Sequence, residues 1–208
     1  METVITYADW KLDLLTYDTD TSSDNSLIWA IDAPQTYRYT AQFFAEANGL
    51  LNEISPEELN KIFWFLSHDV LNVQPEHYPD LPIWQDYLGA IKILFRDLFN
   101  IHCAPVLGHR DEQPTTPLNS ACYMWWDILP VWHSDENCRF AIQSLCLEVM
   151  TFCLSLGNLA CKESALHGLG HWYHFAPREV ERIIQEGDRH IPPPLKNYAK
   201  SAQCGCVL

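Results

Sequence analysis

Glycine and positive charge are both scarce in this chain. Its 208 residues include 8 glycines and 13 lysines and arginines, against 27 aspartates and glutamates. So few glycines exclude collagen-like and glycine-rich architectures. The formal net charge of −14 repels phosphate backbones and anionic lipid, so neither nucleic acid nor a membrane is expected as a partner. Phosphate-cradling GxxxxGKS/T and GxGxxG loops are absent, as is a GxSxG nucleophile elbow. The N-terminal METVITYADWKLDLL has no basic leader region and no unbroken apolar core, so no signal peptide is expected. No run approaches 18 apolar residues, because Lys92, Arg96 and Asp97 interrupt the longest candidate; no membrane span is expected. None of the eight cysteines forms a CxxC. Cys103, Cys122, Cys138, Cys146, Cys153 and Cys161 lie in apolar surroundings, which predicts reduced thiols and a cytoplasmic location. The terminal CGCVL misses the prenylation spacing, since Cys204 is followed by four residues and Cys206 by two.

What the chain does have is apolar material at helical spacing. Apolar residues make up 48 % of it, and a chain of this length buries about 70 % of its unfolded surface without needing disulfides or metal. Ser55 before Pro56-Glu57-Glu58 predicts a capped helix start, followed by Leu59, Ile62, Phe63, Leu66 and Val70 at 3-and-4 spacing. The strongest periodic signal runs from Ile83 to Asn100, through Trp84, Tyr87, Leu88, Ile91, Leu94, Phe95, Leu98 and Phe99. Further helices are predicted at 119–129, 136–156 (capped by Asp135), 159–174 and from Pro177 to Gly187, with Gly157-Asn158 ending the one at 136–156. Residues 1–55 are acidic and less regular: helices at 10–17 and 37–51, a turn-like DTDTSSDNS, and a short strand pair near 3–7 and 27–31 as the one place for extended structure. Eleven acidic side chains fall within residues 1–60, against Lys11 and Arg38.

The expected fold is all-α, with antiparallel helical pairs arranged as a short α-solenoid or an irregular bundle. One domain spans 1–194, and 195–208 is a loose tail. The segment CKESALHGLGHWYHFAP at 161–177 resembles the second helix of a HEAT repeat, through Lys162, Ala165, Leu166, Leu169, Gly170 and the following Pro177. The helix starts show no regular period, so the resemblance spans a single repeat. It implies a solenoid that recognises proteins.

Two sets of residues could carry chemistry. His167, His171 and His174 follow i, i+4, i+7 spacing, with Glu163 one turn earlier on the same stripe; imidazole and carboxylate on one helix face can ligate zinc. The stripe lacks the glutamate of HExxH, no further ligand is identifiable, and Gly168 and Gly170 favour the close approach of a neighbouring helix. These features favour the structural reading, a partly buried polar seam in which the histidines bond to each other, to Glu163 or to backbone carbonyls. Cys161 or Ser164 beside these histidines makes a poor dyad, because working nucleophiles and bases usually come from different elements. Trp125-Trp126-Asp127 and Trp132-His133 are expected to wedge helices apart.

The leading expectation is therefore a non-catalytic protein-binding module without a cofactor, an acidic binder or inhibitor of a basic partner. The alternative is a metal-dependent hydrolase using zinc at Glu163, His167, His171 and His174.

Overall fold

In the computed structural model, described for residues 4–17, 26–72, 78–129 and 133–207, ten helices follow one another with no strand among the described residues. They are α1 (Tyr7–Thr16), α2 (Ala33–Leu50), α3 (Pro56–Phe65), α4 (Leu81–Leu94), α5 (Asn100–His102), α6 (Leu118–Ile128), α7 (Glu136–Ser155), α8 (Leu159–Trp172), α9 (Pro177–Glu186) and α10 (Lys196–Ala202). Wide π-type turns at Leu66–Val70 and Phe95–Phe99 prolong α3 and α4. The fold is all-α, as the periodicity predicts.

Local chemistry accounts for the starts. Ser55 and Glu58 form a reciprocal capping box, as do Thr6 and Asp9. Asp32 accepts from the Gln35 N–H at the start of α2, and Asp135 from that of Cys138 at the start of α7. The Gly157-Asn158 pair works differently from the expected C-cap. Gly157 has no positive φ, and Asn158 is the N-cap of α8, accepting from the Ala160 N–H while its amide donates to the Cys103 carbonyl at 2.7 Å. One side chain thus caps α8 and ties it to the end of α5.

The aromatic faces meet in one continuous core. α4 lies against α2 on one side and α7 on the other, and α8 packs against α6, α7, α9 and α10. Trp125 is fully buried among Phe44, Phe63, Phe95 and Phe99, and Trp126 stacks on Phe95 at 6.0 Å, so both indoles fill inter-helix volume as expected. α7 is long and apolar enough in composition to cross a membrane. In this fold it packs on α4 and α8 and buries one face, Ile142, Cys146, Val149, Met150 and Cys153.

Three further expectations need correction. Residues 4–6 and 27–29 form no strand pair; Leu27–Trp29 is a single 3₁₀ turn capped by Ser26. The segment after Leu195 is no loose tail. α10 buries Tyr198, Ala199 and Ala202, and Gly205, at φ +68°, turns the chain so that Val207 packs on α8. His174 falls beyond the end of α8 at Trp172, so the i+7 spacing no longer carries it onto the histidine face. The DTDTSSDNS turn, apart from Ser26, and Pro75, Pro130 and Trp132 lie outside the described residues.

The two glycines of α8 have a specific steric role. A Cβ on Gly168 would stand 2.5 Å from Trp126 Cγ, and one on Gly170 would stand 2.5 Å from both Val207 methyls. Only glycine admits α6 on one side of this helix and the C-terminal segment on the other. That close approach brings the ends of three elements to one point.

Candidate metal centre

α8 is almost wholly buried, and among the described residues it carries half of the buried polar and charged side chains: Lys162, Glu163, Ser164 and His167. Buried polar groups require partners. Lys162 Nζ donates to the Leu154 carbonyl at 2.7 Å, closing the C-terminus of α7, and burial pushes its pKa down. Glu163 turns away from the histidines. Its carboxylate accepts from the backbone N–H of Gly108 at 2.7 Å and of His109 at 3.0 Å, and pairs with His109 Nδ1. This glutamate, expected as a metal ligand, instead fastens the loop before α6.

His167 and His171 behave as their spacing predicts and share a face. The side chain that joins them is Asp127, from α6, which the spacing of the histidine stripe does not reach. His167 Nε2 lies 2.7 Å from Asp127 Oδ2, His171 Nε2 lies 3.1 Å from Asp127 Oδ1, and the two Nε2 atoms are 3.1 Å apart. Two imidazole nitrogens and a carboxylate thus converge on one point. On its inner side His167 is only 2 % exposed; its Nδ1 meets Tyr198 Oη of α10 at 2.8 Å, and Tyr198 Oη in turn meets Tyr123 Oη at 3.1 Å. The Tyr123 ring lies 4.5 Å from the His167 ring, and His109 stacks on Tyr198 at 4.2 Å. On the outer side, the Asp127 and His171 side chains are 23 % and 44 % exposed, and both residues are open to solvent.

The protonation of the two rings decides what this arrangement can do: with one Nε2–H and one Nε2 lone pair, the imidazoles hydrogen-bond each other at 3.1 Å with no cation needed. Each Nε2 presents either a lone pair or an N–H. With both as N–H, each donates to one oxygen of Asp127, His167 Nδ1 accepts from Tyr198, and the donors stand side by side 3.1 Å apart. With both as lone pairs, the pair faces a carboxylate, and three like ends meet unless a cation lies among them. This last state reverses the inner bond, so that His167 Nδ1–H donates to Tyr198 Oη. That is the outer-sphere contact which orients a ligating imidazole. Burial, reinforced by the neighbouring His167 and His174, pushes the pKa of His171 below its ordinary value against the pull of Asp127, which favours the neutral ring a metal requires. Burial also raises the phenols of Tyr198 and Tyr123, keeping both protonated as hydrogen-bond donors.

Among the described residues, no other cluster of three His, Cys, Asp or Glu side chains converges in this way. His174 is exposed and outside it. Cys161 and Ser164 are buried within α8, and neither is part of it. All eight cysteines are free thiols. No protein-family model matches the chain, and no curated protein or solved structure matches it either.

Proposed function

We propose that this chain is a metal-binding protein in which α6 and α8 hold one divalent transition-metal ion of the zinc class through Asp127, His167 and His171. The observation that carries the proposal is the convergence of two imidazole nitrogens and one carboxylate from two helices: the Nε2 atoms of His167 and His171 are 3.1 Å apart, and each lies 2.7 to 3.1 Å from one of the two oxygens of Asp127. Zinc bonds to imidazole and carboxylate of about 2.0–2.1 Å set ligand edges of about 3.3 Å in a tetrahedron, so small side-chain rotations suffice to admit the ion. The two-histidine, one-carboxylate set also suits ferrous iron, and elemental analysis separates the two.

The test uses the full chain, stripped with chelator and reloaded. One zinc or iron per chain is expected, with a melting temperature that rises with free metal by mass action, equivalent to about 2.7 kcal/mol at a hundredfold excess over Kd. Asp127→Ala and His171→Ala should each abolish the rise. A chain that keeps no metal and melts unchanged would overturn the proposal.

A second function, recognition of a basic protein partner, has its own support. The net charge of −14 supports a basic partner; separately, Phe140 and Phe175, 56 % and 73 % exposed, flank an apolar groove of about 520 Å³ whose one charged lining residue is Arg139, so the groove would take an apolar part of that partner. The HEAT-like character of 161–177 fits this role. Capture of a specific basic protein lost on Phe140→Ala/Phe175→Ala tests it; equal capture by that variant would refute it.

A further inference from the structure

The metal reading, on which this inference rests, leaves open whether the ion would be sealed in as a structural element or exposed as a reactive one. Closed structural zinc sites take four protein ligands, whereas three protein ligands with a fourth position left to water define a reactive site. The protein's other side chains bear directly on this.

Among the described residues, the candidates for a fourth ligand are engaged or outside the cluster. Glu163 is held by two backbone N–H groups and His109. His109 is paired with Glu163 and stacked on Tyr198. His174 lies past the end of α8. Tyr198 faces His167 through Nδ1, on the side of the ring away from the convergent Nε2. The inner hemisphere is thus filled by Tyr198 and Tyr123. The outer hemisphere is bounded by His171 and Asp127, both partly open to solvent. The core needs no cross-link at this point, because Trp126 on Gly168 and Val207 on Gly170 already close α8 against its neighbours. A doubly charged ion with one carboxylate and two neutral imidazoles keeps one net positive charge facing water, which favours an oxygen ligand.

We infer that the ion at Asp127, His167 and His171 carries an open coordination position on the solvent side of His171, occupied by water and exchangeable for an oxygen-donor ligand of the carboxylate or hydroxamate class. This makes the site one where the metal would acidify its water or polarise an incoming carbonyl oxygen, rather than one that only braces the fold.

Cobalt(II) reports coordination number and ligand exchange through its visible absorption. The full chain, loaded with one equivalent of cobalt, is titrated with acetohydroxamate. The expected result is a saturable change in the visible bands, absent from Asp127→Asn and His171→Ala chains whose circular dichroism matches the wild type. Cobalt uptake with a spectrum that acetohydroxamate leaves unchanged would overturn the open position while leaving metal binding intact. Absence of cobalt uptake would overturn both. A spectral response that persists in the variants would place the exchangeable ligand elsewhere and refute the inference.

Discussion

Replacing Tyr198 by phenylalanine isolates the outer contact of the proposed centre without touching a proposed ligand. Tyr198 is 7 % exposed, and its hydroxyl meets His167 Nδ1 at 2.8 Å and Tyr123 Oη at 3.1 Å, while its ring stacks on His109. Phenylalanine keeps the ring and removes both polar contacts. If the proposed ion binds, His167 Nδ1 would carry a proton for which Tyr198 is the acceptor placed at 2.8 Å among the described residues, so the variant would leave a buried donor unpaired at a cost of about 1–3 kcal/mol. Loss of such an orienting partner typically weakens metal binding about 10- to 100-fold. Competition for zinc against a chromophoric chelator measures this directly. Tyr123→Phe, one link further out, should weaken binding less. Wild-type zinc affinity in Tyr198→Phe would refute the assignment of Nδ1–Tyr198 as the orienting contact.

Three other outcomes follow from the packing and the caps. Gly168→Ala drives a methyl into Trp126 and should cost about 1–3 kcal/mol, read as a lower melting temperature; an unchanged value would mean that α6 moves aside freely. The cap carboxylates of Asp9, Glu58 and Asp135 are held below their ordinary pKa, chiefly by hydrogen bonds with Thr6, Ser55 and the Cys138 N–H respectively. A lowered folded-state pKa gives stability that is present above the unfolded pKa and lost as pH falls through the folded one, so metal-free protein should lose melting temperature progressively below about pH 4. A melting temperature flat down to pH 2 would contradict this. Native thiol titration should modify Cys204 and Cys206 first, while Cys103, Cys122, Cys146, Cys153 and Cys161 react only on unfolding; early modification of any of these five would contradict their burial.

The main helices were legible because their apolar faces repeat at 3-and-4 spacing, and Ser55 and Asp135 mark starts that the backbone uses. α10 was hidden behind the prolines at 192–194; its burial rests on Tyr198, Ala199 and Ala202, too few residues for periodicity to register. Half of the histidine stripe was legible, since i, i+4 spacing alone places His167 beside His171. The other half failed for two reasons: the N–H groups of Gly108 and His109 claim Glu163, and α8 ends before His174. Asp127 lies 40 positions from His167, and no local pattern joins them. Its one signal is that it is the sole charged residue of α6, in the apolar run MWWDI; the contact itself depends on Trp126 settling on Gly168. His109 and Tyr198 were invisible for the same reason, since both reach the centre only through tertiary packing.

Whether Asp127, His167 and His171 ligate a metal is tested most directly at the ring nitrogens. Long-range ¹H–¹⁵N spectra of the ¹⁵N-labelled chain, recorded without and with one equivalent of zinc, report the state of each of its nine histidines. Zinc should shift Nε2 of His167 and His171 alone to metal-bound values, with Nδ1 of His167 becoming protonated as its bond to Tyr198 reverses. Spectra in which both rings keep Nε2–H after zinc is added would contradict the metal centre and leave Asp127, His167 and His171 as a hydrogen-bonded triad.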